Sequence, residues 1–192
     1  VFQSSPGDDA LLQKSTKGAD NNGLSIMSDW NEFRMSASME SVMKGYKDPR
    51  MSVYWLPNNA TKANPNGTGK YDGLRNGLTS TQLTEAMNSP TANAKVGARW
   101  SSPDFGGNAN YLETPQNIMS VAEAFFLRAE GALLGWNMNG TAKSLYEEGI
   151  RQSMRQWGIT DAAAAVLARH FWLGQGNHVG DGRQPCHGIP LS

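Results

Sequence analysis

The stretch Ser120–Gly158 constrains the fold more than any other, because it carries two helical patterns back to back. Ile118, Ala122, Phe125, Ala129, Ala132 and Trp136 recur at alternating steps of four and three. That spacing lays one apolar stripe along one side of an α-helix. Gly135 and Asn137-Met138-Asn139-Gly140 interrupt it, since Gly and Asn accept the backbone conformations in which helices end. A second stripe follows at Ala142, Leu145, Tyr146, Gly149, Ile150, Ser153, Met154 and Trp157. Lys143, Glu147 and Arg151 form a ladder of alternating charge on its outer side. Neither helix can bury its stripe alone, so the pair is expected to close as an antiparallel hairpin.

The rest of the chain reads as shorter helices joined by long loops. Val1–Asn22 is polar and loop-like. Ser28 or Asp29 is placed to cap a helix starting near Trp30, with Met35, Met39, Val42 and Tyr46 as its stripe and Gly45 and Asp48-Pro49 as its end. The methionines at 35, 39, 43 and 51 are read as core packing, because this flexible side chain fills irregular gaps between helices. Trp30, Trp136 and Trp157 lie on the helical stripes and are expected in the core. Met51–Leu56 is short and partly alternating, hence a strand or extended segment. From Pro57 to Leu78 the composition turns to Asn, Gly, Thr, Lys and Pro, with turns at Asn66-Gly67 and Asn76-Gly77. Gln82–Met87 is a candidate short helix, and Pro115 sits where prolines precede helices. The expected class is mainly α, with little β.

Charge and length exclude several functions. Seventeen basic and seventeen acidic residues are evenly mixed, so no basic stripe is present to grip nucleic acid. No apolar run has the length of a membrane span. Cys186 has no internal partner for a disulfide. His170, His178, Cys186 and His187 fit none of the compact zinc-ligand spacings. Glu123 and Glu130 share one side of a helix about 10 Å apart along its axis, and so do not face each other across a sugar. No catalytic residue, metal or cofactor is assigned.

Two blocks carry a resemblance. AEAFFLRAEGALLGWNMNGTAKSLYEEGI, within the hairpin, and WNEFRMSASMESVMKGYKDPRMSVYW, over Trp30–Trp55, are similar to the later part of the SusD/RagB family. That resemblance implies a SusD-like helical fold with a tetratricopeptide-like hairpin. Phe126, Ala129, Leu133, Ala142, Tyr146 and Gly149 approximate the small/large alternation of such repeats. It also implies a non-catalytic nutrient-binding lipoprotein at the outer-membrane surface, which passes oligosaccharide to a SusC-like TonB-dependent transporter. The chain opens on Val1 and matches only the later part of the family, so residues 1–169 are expected to be a partial domain. On that reading, the secretion signal and N-terminal lipid anchor of such proteins are expected to belong to the full-length protein, outside this stretch. Residues 170–192 no longer resemble the family and are read as an irregular tail, foreign in composition.

Sugars present apolar C–H faces to aromatic rings and hydroxyls to amides, carboxylates and guanidinium groups. On that chemistry the candidate ligand-binding residues in loop-like contexts are Tyr54, Trp55, Tyr71 and Trp100, with Asp72, Arg75 and Asn76 as polar neighbours. The alternative function is a helical-repeat protein–protein interaction module without sugar binding.

Overall fold

The computed structural model describes residues 5–17, 19–30 and 33–161. It is mainly helical, and the expected hairpin is its largest packed unit. Helices α5 (Val121–Leu133) and α6 (Ala142–Arg155) lie side by side. Each boundary has a local cause. Ser120 caps α5 by accepting from the Glu123 N–H at 3.2 Å. Gly135, at φ +82°, ends it in a Schellman turn, with Trp136 N–H donating to Gly131 O at 3.0 Å and Gly135 N–H to Ala132 O at 3.1 Å. Thr141 and Ser144 open α6 with a reciprocal capping box, both bonds 3.1 Å long.

Ile150 and Met154, packed by Phe126, Tyr146 and Ile159, form the hairpin's core. Phe126 lies against Gly149, whose missing side chain makes room for the ring. The ladder on the outside of α6 differs from expectation. Lys143 pairs with Glu147 at 3.9 Å, but Arg151 turns to Glu148 at 2.8 Å, where Arg155 and Gln152 also converge. Glu148 lies within reach of three donors on its own helix, at i+3, i+4 and i+7, and its two oxygens accept from all of them.

Upstream, the expected helix at Trp30 is two helices. Helix α1 (Gly23–Asp29) starts earlier, because Asn22 caps it by accepting from Leu24 and Ser25 N–H groups. Trp30 is therefore the C-cap of α1, and its side chain is 62% exposed instead of buried. Helix α2 (Ala37–Gly45) has its own cap in Ser36, which accepts from Met39 N–H at 3.1 Å. Of the methionines, Met35 and Met43 are buried and Met39 is exposed. Met51–Leu56 is not one strand: a single helical turn, α3 (Met51–Tyr54), precedes β2 (Trp55–Leu56). Arg50 sets that turn by clamping Asp48 and donating to Ser153 of α6 at 2.8 Å. Helix α4 (Ser80–Leu83) is followed by a 3₁₀ turn at Ala86–Asn88, which together occupy the expected short helix.

Two small antiparallel sheets tie these parts together. Strand β1 (Ala10–Leu12) pairs with β4 (Gln116–Met119), and β2 pairs with β3 (Lys95–Val96), Trp55 opposite Val96. Pro115 thus leads into a strand, and Ile118, expected on the helix stripe, sits in β4 with 63% exposure. Gly97 follows β3 where a Cβ would lie 2.1 Å from Val53 O, so only glycine permits this approach. Buried hydroxyls lock α1 to the loops: Ser25 donates to Tyr111 O at 2.7 Å, and Ser101 donates to Val96 O at 2.7 Å while accepting from Ser28 at 3.0 Å.

Candidate functional site

Three aromatic side chains from distant parts of the chain meet at the end of α6. Trp157 lies one residue past the Gln156 C-cap of α6 and is aimed by a second Schellman turn. There Ile159 N–H donates to Met154 O at 3.1 Å, Gly158 N–H donates to Arg155 O at 3.0 Å, and Gly158 takes φ +72°. The Trp157 ring receives Tyr54 edge-on at 5.2 Å and Trp100 at 5.6 Å, tilted by 57°. Such edge and tilted contacts suit the quadrupoles of the rings. Arg99 lies over the same pair, its guanidinium carbon 5.9 Å from the Trp100 ring centre and 5.4 Å from that of Trp157.

Beside this cluster opens a cleft of about 570 Å³. Its walls come from Pro6, Asp9 and Leu11, the start of α1, Arg99 and Trp100, Pro115–Asn117 and Gln156 and Trp157. That volume falls within the range of about 300–1,000 Å³ in which small-molecule sites are found. The lining mixes two indoles with the amides of Asn22, Gln116, Asn117 and Gln156. Asn22 is already engaged: its side-chain NH₂ donates to Thr114 O at 2.8 Å while its oxygen caps α1. Asp9 accepts from the Val121 N–H at 2.7 Å, which places its carboxylate at the N-terminus of α5.

The sequence candidates divide between this place and others. Trp100 lines the cleft, and Tyr54 supports it from behind Trp157. Trp55 pairs in β2, with its indole N–H buried and unbonded among the described residues. Asp72 is held by Asn58, which donates to it at 2.6 Å, and by Lys44 at 3.3 Å. Tyr71 is half-buried, and burial raises its phenol pKa, whereas Arg75 and Asn76 are exposed. None of Trp55, Tyr71, Asp72, Arg75 and Asn76 lines the cleft. Trp157, expected in the core, is instead a half-buried cleft wall, and Trp136 is 62% exposed. The signal for Trp157 was the following Gly158: an aromatic at a glycine-terminated helix end has its ring beyond the helix's own stripe.

Among the described residues no group of His, Cys, Asp and Glu could hold a metal ion, and no helix is long and apolar enough to cross a membrane. His170, His178, Cys186 and His187 lie outside the described residues, as does the whole of 170–192.

This combination of a helix hairpin, two minimal sheets and looped segments is the SusD-like fold. A family model described as Susd and RagB outer membrane lipoprotein matches residues 1–170, and the chain belongs to that family. A chitin-binding SusD homolog from Flavobacterium johnsoniae is similar at 35% identity and TM-score 0.60, over 85% of this chain and 29% of that one. A SusD-like protein from Bacteroides thetaiotaomicron is 36% identical with TM-score 0.59, over 84% of this chain and 30% of that one. A SusD homolog from Bacteroides ovatus is 31% identical with TM-score 0.60, over 86% and 30%. The chain therefore spans about 30% of the length of the solved relatives it matches. A search of curated proteins found no match.

Proposed function

We propose that this chain is part of a non-catalytic, lipid-anchored protein of the outer-membrane surface that binds oligosaccharide and delivers it to a SusC-like TonB-dependent transporter. The observation that carries the reading is the cleft in which Trp100 and Trp157 stand among the amides of Gln116, Asn117 and Gln156. Aromatic rings beside hydrogen-bonding side chains match the two-faced chemistry of a sugar ring, and the 35%-identical relative is a chitin-binding protein. Tyr54 contributes by holding Trp157. Trp55, Tyr71, Asp72, Arg75 and Asn76 are proposed as contacts outside the cleft.

Isothermal titration of the chain against a panel of neutral and acidic oligosaccharides, chito-oligosaccharides included, tests this. Saturable binding of at least one class is expected. The second reading, a helical-repeat interaction module, draws on the exposed apolar side chains of the hairpin: Leu127, Leu133, Leu134 and Trp136 are between 54% and 77% exposed. Such a module would ignore every sugar in the panel.

A further inference from the structure

Arg99 has a property that sugar stacking does not use. Its guanidinium lies against both indoles, yet among the described residues it forms no ion pair, and no hydrogen bond satisfies its N–H groups. The other arginines with ion pairs find carboxylates nearby: Arg50 has Asp48, Arg151 has Glu148, and Arg155 has Glu148 and Asp161. The cleft lining contains one other charged side chain, Asp9, whose carboxylate accepts from the first turn of α5. Arg99 is half-buried in the cleft wall with no carboxylate paired to it among the described residues, and a planar carboxylate is the partner its fork of donors fits.

We propose that the cleft selects acidic oligosaccharides, those built on uronic acids, with Arg99 receiving the sugar carboxylate while Trp100 and Trp157 hold the guanidinium in place. The proposal rests on the glycan-binding reading and narrows its substrate class. A neutral sugar hydroxyl can accept one hydrogen bond from Arg99, whereas a carboxylate takes two and brings opposite charge. The rival role for Arg99 is local: a cation near the C-terminus of α6 complements the helix dipole. The two roles separate on ligand preference, which a dipole partner would not set.

The experiment pairs uronic-acid oligosaccharides (oligogalacturonate, oligoalginate and hyaluronan fragments) with their carboxyl-reduced neutral counterparts. Each is titrated calorimetrically into the chain at low and at physiological salt. At least one acid is expected to bind about tenfold or more tightly than its reduced form, with the gap narrowing as salt rises. Arg99→Gln should abolish the gap, and Arg99→Lys, which keeps charge but not the planar fork, should retain part of it. Thermal melting of both variants reports any local role independently. Equal binding of acid and reduced forms, or tighter binding of chito-oligosaccharides than of every acid, overturns the proposal and leaves the glycan reading standing. Failure of every sugar to bind overturns both.

Discussion

Trp157 and Tyr54 meet at right angles with their ring centres 5.2 Å apart, joining the end of the hairpin to the turn that leads into β2. That contact is the hinge between scaffold and site. The hairpin supplies rigid burial, and the residue just past its end is delivered to the cleft by a glycine-dependent turn. Weakening that turn should therefore disturb the site without unfolding the helices.

The first prediction follows directly. Gly158 takes φ +72°, and a Cβ there would meet nothing within 4 Å, so Gly158→Ala costs backbone strain alone. We expect a loss of about 1 kcal/mol in urea unfolding, because the left-handed region penalises a Cβ by that order. The near-ultraviolet circular dichroism of Trp157 should change as well. An unchanged spectrum and stability would show that the turn does not aim the ring.

Gly149 tests the hairpin's packing. A Cβ there would lie 2.6, 2.7 and 3.0 Å from three atoms of the Phe126 ring. Replacing a mid-helix glycine by alanine ordinarily gains up to about 1 kcal/mol, and overpacking costs about 1–3 kcal/mol. Since Phe126 is confined by Tyr146, Ile150 and Met154, overlap should win and Gly149→Ala should destabilise. In a Phe126→Ala background the same change should stabilise. If its sign is the same in both backgrounds, the helices do not pack through this pair.

Lys95 gives the chain a pH dependence. Its side chain is buried against Phe105, with Nζ 2.8 Å from the ring centre and no hydrogen-bond partner among the described residues. Burial first, then the charge of Arg34, pulls its pKa down to about 7, with Asp29 opposing. An unfolded lysine titrates near about 10.4, so between these values the unfolded chain holds a proton that the folded chain has released. Stability should therefore fall as pH is lowered from about 10 to 7, by up to ~1.4 kcal/mol per pH unit, and level off below. Urea unfolding at pH 7, 8 and 9 checks this. Lys95→Met should flatten the profile, and an equal slope in that variant would place the proton elsewhere.

Trp100→Ala and Trp157→Ala should each weaken oligosaccharide binding by about 2 kcal/mol or more, the loss typical of a central aromatic anchor. Trp136→Ala, on an exposed ring outside the cleft lining, should leave affinity unchanged. Calorimetric titration of the three variants decides. Equal losses in all three would point to a general effect on folding.

The hairpin was legible in the sequence because its cause is local: both stripes and the Gly and Asn stop between them fall within Ser120–Gly158. The start of α1 was missed because Asn22 caps a helix that buries Ser25 and Ser28 in place of apolar residues, leaving no stripe to detect. The strand at Gln116–Met119 escaped for another reason. Its partner is more than a hundred residues away, and Ile118 fits a helical period equally well. Of the site, Trp100 and Tyr54 could be nominated from their loop-like settings. Their meeting through Trp157 could not, since that depends on where α6 ends and on β2 pairing with β3.

The account's central claim is that sugar binds where Trp100 and Trp157 converge. The most direct test follows the indole N–H resonances of ¹⁵N-labelled chain as oligosaccharide is added. The resonances of Trp100 and Trp157 should shift together and saturate at one stoichiometry, while those of Trp30 and Trp136, both 62% exposed, stay in place. Saturable sugar binding that leaves Trp100 and Trp157 unmoved would contradict the claim.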